Sequence, residues 1–310
     1  MGPRSGSRQN TRICVDMLGS RGLYWHGRGA AMQLAFSTLG CPAWSLDQIL
    51  AFAAAHGYAA VELRGLGEHV DLRLSPPFSP ARRAATRRHF ADAGLTVCCA
   101  SASASFADPA KRHASLDEVR AYVELAADLG CPRVRVFGGS PPPGQEDEET
   151  VAGVADCLAE LGPFAGAHGV TLVLETHDAF STGARVARVL ERVEHAAVGA
   201  LWDLHHPFRH GEDPVETARL LAPWLAHLHV KDSREGRYCL LGEGDVPVGE
   251  MLRLVRESRR AGDSAGGVLP ARPDVVCVEW EKRWHPDIAE PEEALAQYAR
   301  ALRALLAEEE

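Results

Sequence analysis

No stretch of the 310-residue sequence approaches the roughly 20 consecutive apolar residues that a membrane-spanning helix needs, so a soluble protein without a membrane partner is expected. No Cys-x-x-Cys pair occurs among the eight cysteines, and the adjacent Cys98 and Cys99 do not suit a disulfide framework. Reduced thiols buried in the core of a cytoplasmic protein are the expected state. A Lys/Arg stripe with interleaved aromatics is also absent, and a formal net charge of -9 repels polyanions, so nucleic acid is not an expected partner. The sequence has no glycine-rich phosphate loop of the Walker or dinucleotide type. Gly138, Gly139 and Ser140 are too short a run to mark a phosphate site.

The first 31 residues lack both helical and alternating apolar periodicity. They carry Arg4, Arg8, Arg12, Arg21 and Arg28 with Asp16 as the sole acid. A disordered extension is expected there. It has no apolar core of the seven or more residues that a secretory signal requires; an Arg-rich, acid-poor transit peptide is the alternative. Met32 stands directly before the first strand-like run, QLAFSTLG, which suggests that the natural product starts at this methionine and that 32–310 is the folded domain.

From residue 33 onward, eight short apolar runs alternate with longer amphipathic stretches. The runs are QLAFST, AAVELRG, LTVCCASA, RVRVFGG, VTLVLETHD, VGALWDLHH, LAHLHVKD and VVCVEWE. Eight such units close a barrel, whereas five or six make an open sheet, so the fold expected is α/β, a single (β/α)8 TIM barrel. The runs are apolar nearly throughout, as strands are when both faces are covered. Ser45, Ser115 and Asp213 are read as helix N-caps, and Gly57, Gly94, Gly130 and Gly262 as left-handed C-caps. The Gly/Pro/Ala-rich segment before the eighth run, ESRRAGDSAGGVLPARPD, reads as a surface excursion.

In a parallel barrel the active site lies where strands end. Four consecutive runs close on a polar residue: Glu175, Asp203, His229 and Glu279. If all four point inward, three carboxylates share one pocket and repel each other unless a cation or protons neutralise them. Three carboxylates and one imidazole suit an octahedral divalent ion with positions left open for substrate oxygens. Mn2+ is the first choice; Co2+ and Mg2+ follow, and Zn2+ is less favoured because the set holds no thiolate and only one histidine.

These residues carry a family likeness. From Met32 to the end, the chain resembles the xylose-isomerase-like TIM barrels, in particular the sugar phosphate isomerases and epimerases. That group is related to ketose 3-epimerases, hydroxypyruvate isomerase, inosose dehydratase and apurinic-site endonucleases. The supporting motifs are Glu175 in LETHD, Asp203-x-x-His206, His229-x-Lys231-Asp232, the LGEGDVP segment from Leu241 to Pro247, and Glu279 in CVEWEK. The resemblance implies a divalent-metal enzyme acting on a small sugar or sugar derivative through a metal-stabilised cis-enediolate, with Glu175 and Glu279 as the acid/base pair as well as metal ligands. One departure concerns substrate contacts. The position six residues after His229, an arginine in the epimerases, is Glu235 here, flanked by Arg234 and Arg237.

His206, His177, Arg64 and Arg234 are the candidate substrate contacts. Three of them have a blander reading: a capping role for His206, surface exposure for His177 and a surface salt bridge for Arg64. Glu62 and Arg135 are expected to pair inside the barrel. Glu281 shares parity with Glu279 and is the rival fourth ligand, and Lys231 is expected either to neutralise an enediolate oxygen or to pair with a carboxylate. Trp202, Trp280 and Trp284 are candidates to wall the pocket, with packing as their plainer role. The leading function is a metal-dependent sugar isomerase or epimerase. The alternative is an inosose-type dehydratase using the same site, followed by an apurinic-site endonuclease and a barrel that binds sugar without turnover. A homo-oligomer is compatible with everything read.

Overall fold

The structure, a computed structural model, describes residues 32–262 and 273–307, without the side chains of 259–262. The 1–31 extension, and most of the excursion before the last barrel strand, lie outside the described residues.

Eight parallel strands close into a ring. In chain order they are β1 (Gln33–Ser37), β2 (Ala60–Leu63), β3 (Thr96–Ser105), β4 (Arg133–Phe137), β5 (Thr171–Glu175), β6 (Val198–Asp203), β7 (Leu225–Val230) and, after a hairpin made by β8 (Asp232–Arg234) and β9 (Arg237–Cys239), β10 (Val275–Val278). Around the ring the order is β1-β10-β7-β6-β5-β4-β3-β2, and β1 closes it by pairing with both β10 and β2. All eight runs read as strands from the sequence are strands of the barrel. The helices between them are α1 (Leu46–Ala55), α2 (Arg83–Asp92), α3 (Arg112–Leu129), α4 (Asp147–Ala167), α5 (Gly183–Leu190), the short α6 (His205–Arg209), α7 (Pro214–Leu221), α8 (Val248–Gly262) and α9 (Pro291–Ala307). No helix among the described residues is long and apolar enough to cross a membrane.

Helix ends follow the sequence where a side chain can reach the free backbone N–H groups. Ser45 accepts from Gln48 N–H in a reciprocal capping box, and Asp213 accepts from Val215 N–H at 2.7 Å, ahead of Pro214. Ser115 is a correction. Asp108 caps a 3-10 turn over Pro109–Lys111 that runs straight into α3, so Ser115 falls inside the helix and donates to Ser105 O at 2.8 Å. Gly130 is the left-handed C-cap of α3, but Gly262 is still within α8. Seven cysteines lie in the described part; all are free thiols, and six are buried.

Side chains alternate across a strand, so positions two apart share a side. On the inside of the barrel this places mostly small residues, among them Ala35, Ala60, Cys99 and Cys277, in one buried cluster with Val173 and Leu201. The polar side chains two residues further along the same strands, Ser37, Glu62, Ser101, Glu175, Asp203 and Glu279, form the layer above them. The bulkier aliphatic and aromatic residues fill the space between strands and helices.

Candidate metal centre

Glu175, Asp203, His229 and Glu279 come from β5, β6, β7 and the residue after β10, four adjacent strands of the ring. One donor atom from each lies within 4.8 Å of all the others, and all four residues are buried. Donors around a single ion with bonds of about 2.1 Å stand up to ~4.2 Å apart, so a small contraction would bring this set onto one cation. The residues therefore fit a divalent ion.

His229 is the pivot. Its Nδ1 lies 2.9 Å from Glu175 Oε1 and 3.3 Å from Glu279 Oε1, while its Nε2 lies 2.9 Å from Glu62 Oε2. Glu62 also meets His227 Nε2 at 2.9 Å and accepts from Ser101 Oγ at 3.0 Å. An outer carboxylate on one imidazole nitrogen fixes the ring and leaves the other nitrogen to face an ion. Burial alone would raise the Glu62 carboxyl, but His229 and His227 outweigh it and hold Glu62 well below the usual range. Burial disfavours charge on His229, yet Glu279, Glu62 and Glu175 together raise it well above an ordinary histidine. With a carboxylate oxygen 2.9 Å from each ring nitrogen, the surroundings favour the imidazolium form.

Lys231 supplies a second internal cation. Its Nζ lies 2.7 Å from Asp203 Oδ2, 2.5 Å from Glu279 Oε2 and 2.8 Å from Glu281 Oε1, with the side chain fully buried. Of the two roles read for Lys231, the structure shows the pairing with carboxylates. Glu281 contacts this lysine and is not part of the four-donor set. Burial opposes charge on Glu279, but His229 and Lys231 keep it well below the usual carboxylate range. Asp203 goes the other way: burial pushes it up to about 6 despite Lys231.

The expected pair between Glu62 and Arg135 does not form. Arg135 instead stands 3.3 Å from Glu175 Oε2 with its guanidinium 3.8 Å above the Phe137 ring, because Glu62 is taken by the two histidines and β4 lies beside β5. Arg64 is not on the surface, as the salt-bridge reading required. It is 7% exposed, and its Nη1 donates to Ser103 Oγ at 3.0 Å.

Three histidines follow the quartet upward. His206 Nε2 is 3.5 Å from Asp203 Oδ2, and its ring meets that of His177 edge-on at 4.6 Å. His177 Nδ1 is 3.0 Å from Asp178 Oδ1; burial opposes its protonation, but Asp178 and Glu175 raise it. Burial and then Lys231 push His206 well down and His205 down to about 3, so both are neutral near pH 7. His205 Nε2 meets Ser233 Oγ at 2.8 Å, a structural role. Arg234 is exposed, opposite Arg237 in the β8–β9 hairpin, and no described contact ties it to the quartet. Tyr238, which the sequence did not mark, sits inward of it, with its ring 5.9 Å from Lys231 Nζ and 5.4 Å from the His205 ring.

The motif between the hairpin and α8 is structural. Asp232 accepts N–H bonds from Gly242, Gly244 and Val246 at 2.9, 3.0 and 3.3 Å, so one carboxylate folds the whole loop. A Cβ on Gly244 would meet Asp232 Oδ1 at 2.0 Å. Gly138 is likewise packing: a Cβ there would meet the Phe180 ring at 2.1 Å. Trp202 and Trp280 are buried in the packing between barrel and helices, and Trp284 is half exposed.

An ion held by His229 and Asp203 would have to displace the His229 proton and, below about pH 6, the Asp203 proton as well. Both groups are raised above their usual values, so the affinity of such a site would be lost as pH falls. Calorimetry of Mn2+ binding in buffers of differing ionisation enthalpy is expected to show about one proton released at pH 7.5 and nearer two at pH 5.5. Release of no proton at either pH would show that His229 does not serve as a ligand.

A closed parallel barrel with a buried four-donor cluster at the strand ends defines a (β/α)8 protein with a candidate divalent-cation centre. Residues 50–262 match the family model described as "Xylose isomerase-like TIM barrel", and the chain belongs to that family. Inosose dehydratase of Geobacillus kaustophilus is 27% identical over 206 residues, which cover 62% of this chain and 63% of that protein. Among solved structures, the IOLI protein with a bound zinc atom superposes with a TM-score of 0.72 at 18% identity, covering 89% of this chain and 99% of the other. An L-ribulose 3-epimerase gives 0.70 at 18% identity, with coverage of 89% and 95%. At these identities the structural likenesses show the fold alone.

Proposed function

We propose that this chain is a divalent-metal-dependent enzyme that removes a proton beside the carbonyl of a polyhydroxylated ketone and expels water from the neighbouring carbon. The observation that carries this reading is the four-donor cluster with its two glutamates flanking His229. Glu175, Asp203, His229 and Glu279 would hold the ion, with Mn2+ the proposed metal for a set of three hard oxygen donors and one imidazole. A divalent cation there supplies Lewis acidity, which makes the hydrogen beside a carbonyl removable.

Glu175 is the proposed base. Burial opposes its charge, but Arg135 outweighs this and keeps it ionised and able to take the proton. The electron pair left on carbon forms the new C=C bond as the neighbouring C–O bond breaks. The departing oxygen takes a proton from His177, whose protonated form Asp178 favours against burial, and leaves as water. His206, whose ring meets that of His177 edge-on at 4.6 Å, would hydrogen-bond a substrate hydroxyl beside it.

Epimerisation, ranked first from the sequence, needs Glu279 to return a proton to the opposite face of the same carbon. Lys231 at 2.5 Å holds Glu279 as a carboxylate and makes it a poor proton donor. The dehydratase name of the Geobacillus relative supports the same preference. Epimerisation is kept as the second reading because of the fold shared with the L-ribulose 3-epimerase. The test is incubation of the Mn2+-loaded chain with cyclic and linear polyhydroxy ketones in heavy water. Dehydration gives an absorbing enone or diketone, and epimerisation gives deuterium at carbon in an inverted product. Absence of both from every ketone overturns the proposal.

A further inference from the structure

The ring of strands divides into two chemically different halves. At the strand ends, β5, β6, β7 and β10 carry the quartet and Lys231, whereas β2, β3 and β4 carry Arg64, Ser103 and Arg135, the one carboxylate on that side, Glu62, lying a layer deeper and engaged by His227, His229 and Ser101. Arg64 follows β2 two residues after Glu62, so it points to the same side as Glu62, one layer nearer the strand ends. Ser103 stands in the same relation to Ser101, and the two upper-layer side chains are bonded, Arg64 Nη1 to Ser103 Oγ at 3.0 Å. In the ring order β2 lies directly across from β6, which carries Asp203.

Arg64 is held firmly for a residue with so little to bind. Its backbone N–H donates to Thr38 Oγ1 at 2.8 Å, and that hydroxyl donates onward to Gly65 O at 2.7 Å. A guanidinium has five N–H donors. One goes to Ser103, and among the described residues no carboxylate pairs with the others. A buried guanidinium without an anion is costly unless something else supplies the charge. Burial and then Arg135 oppose the charge on Arg64; Glu279 and Glu175 favour it without pairing with it, and Glu175 is already engaged by Arg135.

We infer that Arg64 anchors an anionic oxygen group of the substrate, a carboxylate or a phosphate, on the side of the barrel mouth opposite Asp203. The substrate class is then a polyhydroxy ketone that carries such a group, with Ser103 Oγ as the second contact. This inference rests on the proposed reaction only in naming the ketone end.

Binding of matched pairs to the Mn2+-loaded full chain by titration calorimetry tests it without requiring turnover. Shikimate against its methyl ester probes a carboxylate, and ribulose 5-phosphate against ribulose probes a phosphate. The anionic member of one pair is expected to bind at least ~10-fold tighter than its neutral partner. In Arg64→Gln that ratio falls to about 1, with the neutral partner's Kd and the bound metal unchanged; Arg64→Lys retains part of it. Equal binding within both pairs, no binding of either anion, or a preference that survives Arg64→Gln overturns the inference. If ketone turnover fails while the preference depends on Arg64, the anion site stands and the dehydratase reading falls.

Discussion

Glu175→Gln is expected to lower turnover of the metal-loaded enzyme by roughly 10³-fold, within the 10²–10⁴ that a positioned base contributes, and to abolish exchange of substrate carbon-bound hydrogen with heavy water. The amide keeps an oxygen for the ion and the shape of the side chain, but it cannot accept the proton. Glu279→Gln should cut turnover less if water is eliminated, because Glu279 then serves as an ionised ligand beside Lys231 and has no proton to return. Equal losses of activity and of carbon exchange in the two variants, measured at saturating Mn2+, would favour epimerisation. A Glu175→Gln enzyme with more than a tenth of wild-type activity would show that the base is elsewhere.

Lys231→Met should destabilise the metal-free protein by about 3–5 kcal/mol, the usual cost of removing one partner from a buried ionic cluster. Asp203, Glu279 and Glu281 all rely on this ammonium in a fully buried setting. A divalent ion would neutralise Asp203 and Glu279 by another route, so saturating Mn2+ should recover part of the loss. Urea unfolding of wild type and variant, each with and without Mn2+, measures both effects. A variant as stable as wild type without metal would mean that the carboxylates are protonated and the lysine is not their counter-ion.

The barrel was legible because its strands are apolar on both sides, so eight separate runs stood out, and the last four of them closed on a carboxylate or an imidazole. That pattern also picked out Glu175, Asp203, His229 and Glu279, which the fold brings together at one end of the ring. What the sequence hid lies across long separations. The Glu62 carboxylate finds His227 and His229 more than 160 residues away, and nothing in AVEL or LAHLH says which partner each polar residue will meet. Arg135 turned to Glu175 on the next strand because Glu62 was already satisfied. The β8–β9 hairpin did leave a local signal. Glu235 and Gly236 both take positive φ, 52° and 82°, as a two-residue hairpin turn of this kind requires, and the Glu-Gly pair in REGR is the trace it leaves in the sequence. The choice between elimination and epimerisation was not legible, since both use the same carboxylates and differ only in which group holds a proton.

The most direct test of the account is a crystal of the chain grown with Mn2+, with anomalous diffraction recorded at the manganese edge. A single anomalous peak within about 2.2 Å of one donor atom each from Glu175, Asp203, His229 and Glu279 is the predicted result. A peak at the neighbouring Glu62, His227 and Cys277 cluster, or no bound manganese with Lys231 still bridging Asp203 and Glu279, would contradict it.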